Sequence, residues 1–167
     1  DFWSIAGLQS AASMAEAWGD AVHSKRFRKE SSLLMRAVER SLDRSAHRRM
    51  RRGLPASPYR RMDSGSIGSL AAGYPLQLWP RDDARLLETA YLLMDISFVK
   101  GAFFQNMIHS GLNAYLTLHI AQVLLRGGDP RFLEVMRVVA AIASPTGQWP
   151  EAIHPHTVGG CMGDGQH

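Results

Sequence analysis

Cysteine is almost absent from this 167-residue chain, where Cys161 stands alone. One thiol excludes an intrachain disulfide and any zinc site built from several cysteines. Long apolar runs are missing too. Although 46% of the residues are apolar, no stretch reaches the roughly 18 consecutive apolar residues of a membrane-spanning helix. The N-terminus, Asp1-Phe2-Trp3-Ser4, has neither the basic nor the apolar region of a signal peptide. Alternation of apolar and polar residues, the mark of a half-buried strand, is sustained nowhere. Together these absences predict a helical, cytoplasmic protein with no membrane partner.

Acidic residues are in modest deficit, giving a net charge of +4. The excess is concentrated in Arg40, Arg44, Arg48, Arg49, Arg51, Arg52, Arg60 and Arg61. Such a cluster suits an anionic partner. It equally suits a solvated helix end, where cations complement the macrodipole. Only Tyr59 is at hand to stack on a base, and no nucleic-acid motif is present. A solvated helix end without a nucleic-acid partner is the reading we adopt.

What is abundant is helical periodicity. Ile5, Leu8, Ala12, Ala15 and Trp18 recur at three- and four-residue steps, and Gly19-Asp20 ends one helix and caps the next. The second helix carries Val22, Phe27, Leu34, Ala37, Val38 and Leu42 and runs out near Arg51, ahead of Gly53, Pro55 and Pro58. An irregular loop over 53–66 leads to a short helix near Ile67–Gly73. Further helices are predicted over Asp83–Ser97, Ser110–Arg126 and from Pro130 to about Ala143, with residues 98–109 unassigned. Gly128-Asp129 repeats the Gly19-Asp20 turn about 110 residues later, with Ala12 and Ala121 in matching places. The fold class this predicts is a single all-α domain, residues 1–167, of αα-hairpins that stack into a solenoid or close into an α/α toroid.

Chemistry is concentrated after the last helix. The segment from Ser144 to His167 is too rich in Gly and Pro for a helix or a strand interior. It nevertheless carries Trp149, Glu151, His154, His156, Asp164 and His167. Irregular segments on a rigid scaffold bind or react when they gather such groups. The segments around Asp63, Tyr74–Asp83 and Gly101–His119 mix aromatic and polar groups at helix ends in the same way. Carbohydrate sites need that mixture: aromatic faces for the sugar ring, and amides, carboxylates and Arg for its hydroxyls. Trp79, Arg81, Asp82, Gln105, His109, Gln148, Trp149, His154 and His167 are the candidate sugar-binding residues, with Tyr74, Phe103, Phe104 and Asn106 suited to similar contacts. Glycoside hydrolysis uses two carboxyl groups, roughly 6.5–9.5 Å apart when the reaction inverts. Asp63, Asp82 and Asp83 are candidates that also fit helix caps and turns. Glu151, held by Pro150, and Asp164, between Gly163 and Gly165, are the predicted pair.

Gly147-Gln-Trp-Pro-Glu-Ala-Ile-His-Pro155 and Gly160-Cys-Met-Gly-Asp-Gly-Gln-His167 resemble active-site loops of the six-hairpin glycosidases. That superfamily includes the glucoamylases, the trehalases and the amylo-α-1,6-glucosidase domain of glycogen-debranching enzymes. The helix–Gly-Asp–helix hairpins are similar to its architecture, and Trp79-Pro-Arg-Asp82 is similar in flavour to its substrate-binding stretches. The resemblance implies part of an (α/α)6 toroid with acidic residues on loops at one end as general acid and base, Glu151 matching the Pro-Glu pair. It implies an oligosaccharide substrate and, in the glucoamylase-like branch, inversion. The chain lacks an initiating Met and ends three residues past Asp164. It therefore reads as a fragment of a larger catalytic domain, able to self-associate through incomplete toroid faces.

Two alternatives stand beside this reading. One is phosphorolysis on the same scaffold, with Ser144, His154 and His156 to hold phosphate. The other is a non-catalytic helical-repeat module that binds carbohydrate or protein. His154, His156, Asp164 and His167 form an apparent metal cluster, but no zinc-like spacing occurs, and no metal or cofactor is expected. His119 lies on an apolar helix face and reads as a satisfied core residue. Cys161 reads as buried and inert.

Overall fold

Helices form where apolar residues recur at helical spacing. In the computed structural model, which describes residues 1–49, 53–60, 62–107 and 109–162, with 46–49 described by backbone alone, these are α1 (Phe2–Ala17), α2 (Ala21–Arg49), α3 (Ala84–Ser97), α4 (Ala114–Arg126) and α5 (Phe132–Ala141). A 3-10 helix spans Ser64–Ala72. Both Gly-Asp turns are built alike. Gly19 and Gly128 take φ of +78° and +76°, the left-handed conformation that glycine adopts without a Cβ penalty. The following N–H of Asp20 or Asp129 reaches back to the carbonyl of Ala15 or Leu124, at 2.8 and 2.9 Å. Ala12 and Ala121 are fully buried or nearly so, so each hairpin packs closely at the matching place.

The all-α expectation, and with it the toroid, is overturned. Five short antiparallel strands form one sheet in the order β1-β2-β3-β4-β5. They are β1 (Phe98–Val99), β2 (Ala102–Gln105), β3 (Gly111–Leu112), β4 (Ala152–Ile153) and β5 (Gly160–Met162). The unassigned stretch 98–109 holds two of them, the supposed start of the fourth helix holds one, and the supposedly irregular terminal segment holds two. None exceeds four residues, too short for a period-2 pattern to be read. The one local signal is Lys100-Gly101 between β1 and β2. Both residues have positive φ, +52° and +80°, as a two-residue type I′ hairpin loop requires.

The apolar interior divides in two. The larger cluster joins the 3-10 helix, α3 and α4 around Leu70, Leu86, Leu93, Phe103 and Leu124. The smaller joins α4, α5 and the sheet around Ala102, Leu112, Val139 and Ile153. Phe103, fully buried, contributes on the order of 2–3 kcal/mol by its burial. Two aspartates fix helix entries in the same manner. Asp83 accepts the Arg85 N–H at 2.9 Å and pairs with its guanidinium, which lies 3.9 Å over the Trp79 ring. Asp129 accepts the Arg131 N–H at 2.9 Å, and Arg131 lies 4.1 Å over the Tyr91 ring. The Arg85 side chain first, then the backbone N–H, holds the Asp83 carboxyl below the usual range. Arg131 does the same to Asp129, assisted by the Tyr91 hydroxyl. Outside the core, Trp3, Met14, Trp18 and Val22 of the first hairpin remain exposed. Among the described residues no helix is long and apolar enough to cross a membrane.

His119 is largely enclosed on α4, with its ring nitrogen Nε2 hydrogen-bonded to the Tyr74 carbonyl. Burial pushes its imidazole below the ordinary value, more than backbone hydrogen bonding raises it. The unfolded chain therefore binds the His119 proton first as pH falls, so stability should decline below about pH 6.5. His119→Gln keeps a donor for Tyr74 and removes the titration. Denaturant midpoints measured between pH 8 and pH 5 should show a flatter decline for the variant. An identical slope would mean that other groups set it.

Candidate functional site

The site forms where the sheet brings two distant segments together. In β3 and β4, Leu112 pairs with Ile153. At Gly111 a Cβ would stand only 3.0 Å from the Ile153 nitrogen and 3.0 Å from the Ala152 Cβ, so the close approach itself requires glycine. Just before these strands lie His109 and Glu151. The His109 Nδ1 stands 3.2 Å from the Glu151 Oε1, with side-chain exposures of 43% and 26%. The pair is thus half-enclosed. His109 holds φ +63°, a left-handed conformation that costs a non-glycine residue on the order of 1–3 kcal/mol and recurs at functional sites.

Glu151 lines a cleft of about 550 Å³, within the roughly 300–1,000 Å³ of small-molecule sites. One wall is the first turn of α4, with Ala114, Tyr115 and Leu118; the other is Trp149-Pro150. Trp149 is anchored by its indole N–H, which donates to the Val139 carbonyl at 2.8 Å. Asn113 caps α4: its Oδ1 accepts the Leu116 N–H at 2.8 Å, and its Nδ2 donates to Gln105 Oε1 at 2.9 Å. Through that amide contact Gln105 supports the cleft floor. Thr117, fully buried, accepts the Phe103 N–H at 3.0 Å and ties β2 to the same helix.

The structure thus gathers Glu151, His109 and Trp149, with Gln105 behind them. Gln148 adjoins Trp149 in a turn where its Oε1 accepts the Thr146 hydroxyl at 3.1 Å. His154 shapes the β4–β5 turn, its Nδ1 accepting the His156 and Thr157 N–H groups at 3.2 Å each. Trp79 is 7% exposed in the larger core, its ring against Phe2 and Arg85. Arg81 and Asp82 are exposed in the turn before α3. Phe103 is wholly interior. Asp63 caps the 3-10 helix through the Gly65 N–H at 2.9 Å and lines a different, more polar cavity with Ser64, Ser97 and Asn106. Asp164 and His167 lie outside the described residues. Cys161 is exposed rather than buried; it lies on the short edge strand β5, its thiol pointing to the Ala152 carbonyl oxygen at 3.4 Å. Among the described residues no three His, Cys, Asp or Glu groups converge as a metal site.

Sequence reasoning missed Asn113, Tyr115 and Leu118 as cleft residues. The first helical turn after an Asn N-cap was a usable signal for Asn113. Nothing local marks the other two, because only the β3–β4 pairing sets Trp149 opposite them. Comparison with known proteins gives no match to a family model, a curated protein or a solved structure.

Gly111→Ala should part β3 from β4, cost about 1–3 kcal/mol and shift the His109 imidazole resonances. Gly7→Ala is the contrast, since no atom lies within 4 Å of a Cβ there and α1 should gain about 0.5–1 kcal/mol. Chemical denaturation and histidine NMR of both variants check this. Equal stabilities would show that the Gly111 contact is not limiting.

Proposed function

We propose that the protein processes saccharides at this cleft, with Glu151 as the proton donor to a glycosidic oxygen. The observation that carries the reading is the Glu151–His109 contact at a cleft that Glu151 lines together with Trp149 and Tyr115. The likeness of the Gly147–Pro155 and Gly160–His167 segments to glycosidase loops is a resemblance of sequence that favours it. With Nδ1 protonated, His109 donates to Oε1 and fixes the plane of the carboxyl group. His109 is a positioning residue in this scheme. Glu151 passes its proton to the leaving oxygen as the bond from that oxygen to the anomeric carbon breaks. Water adds to that carbon and yields its proton to a second carboxylate, the role the sequence assigns to Asp164. A well-placed general acid contributes about 10²–10⁴ in rate.

Release of reducing sugar from glycosides, with and without phosphate, tests the proposal. Glu151→Gln should lower turnover by about 10²–10⁴-fold with an unchanged denaturation midpoint. A near wild-type rate removes Glu151 from the mechanism, and activity that depends on phosphate makes the reaction phosphorolytic. His109→Gln should lower kcat by less, leave KM nearly unchanged and move the pH profile. An unaltered profile would reduce His109 to packing.

A further inference from the structure

We infer that the cleft beside Glu151 is an aglycone subsite built for an apolar aryl or alkyl group attached to the sugar, not for a second sugar ring. The inference rests on the saccharide reading above and names the substrate class for it. A sugar ring carries hydroxyls around its edge, and each one buried without a partner is penalised. The cleft offers few partners. Ala114, Leu118 and Pro150 have no side-chain donor or acceptor. The Trp149 N–H is spent on Val139. The Asn113 amide is engaged with Leu116 and Gln105, which leaves one of its two Nδ2 hydrogens for a ligand. The nearby Thr117 N–H is bonded to the Asn113 carbonyl.

The polar side chains that line it are few: Asn113, Tyr115 and Glu151. Glu151 has His109 against it, and Tyr115 is 70% exposed. A glycoside fits this distribution when the scissile oxygen lies at Glu151, the sugar faces solvent and the apolar leaving group fills the cleft. Such a group gains affinity with every methylene it buries, at about fourfold each. A sugar ring in the same space would give up its hydration without replacement.

Calorimetric titration of the chain with methyl, butyl and hexyl glucoside, maltose and hexanol tests this, with the Trp149 indole resonance reporting the location. Affinity should rise about fourfold per methylene from methyl to hexyl glucoside, and hexyl glucoside should bind more tightly than maltose or hexanol. Tyr115→Ser and Leu118→Gln should flatten the dependence on chain length, hexyl glucoside losing more affinity than methyl glucoside. Tyr115 is exposed, so its variant remains informative if Leu118→Gln fails to fold. Equal affinities for methyl and hexyl glucoside, or tighter binding of maltose, overturn the aglycone subsite and leave the saccharide reading standing. Hexanol binding as tightly as hexyl glucoside, or no binding by any glucoside, overturns both.

Discussion

The contact between Gly111 and the backbone of Ala152–Ile153 is the constraint on which the site depends. It joins two segments about 40 residues apart in sequence, the ones that carry His109 and Glu151. Its basis is steric. A Cβ at Gly111 would meet backbone atoms at about 3 Å, and backbone cannot rotate away as a flexible side chain can. The sheet is therefore small but exacting: five strands of two to four residues whose value lies in register more than in buried area.

The helices supply a rigid base for that sheet. Both Asp-x-Arg segments, at Asp83 and Asp129, combine a carboxylate bond to the Arg backbone N–H, a guanidinium pair and an aromatic face. Each starts a helix and pins it to a neighbour. Tyr91 of α3 donates its hydroxyl to Asp129 at 2.7 Å, so the entry to α5 is fastened to the larger core. Trp149 in turn hangs from Val139 of α5. Cleft geometry thus passes through α5 from one apolar cluster to the other.

The helices were legible in the sequence because each spans ten or more residues and repeats its apolar face several times. Gly19-Asp20 and Gly128-Asp129 gave sharp stops, since their conformation is local. The strands were hidden for the converse reason. Leu112 and Ile153 each read as one apolar residue in a short run, and what makes them strands is a partner far along the chain. Lys100-Gly101 offers a glycine as its one local cue, and its loop type shows only in the positive φ of both residues. At the site, Glu151, Trp149 and His109 stood out by residue type and loop context. Their grouping did not, because it follows from the β3–β4 register. Trp79 shows the limit of reasoning from residue type: an indole beside Arg and Asp looks like a binding platform until its ring is found between Phe2 and Arg85.

Replacing an all-helical reading by a sheet alters the chemistry of the site as well as its classification. Helices pack with axes about 8–10 Å apart, so carboxylate and imidazole groups on loops of neighbouring helices meet only through long side chains or bent loops. Adjacent strands lie about 4.7–4.9 Å apart, so the segments that lead into paired strands run close to one another. β3 and β4 are antiparallel, so His109 and Glu151 approach from opposite ends, and their 3.2 Å contact depends on the turn before β3 as well as on the pairing. The left-handed backbone at His109 follows from the same demand, because the chain must turn sharply before β3 to aim the ring across at β4. Strain at one residue is sustained by a pairing that neighbouring residues enforce. The Glu151 carboxyl, which lines the cleft, is thereby oriented by His109 before any ligand arrives.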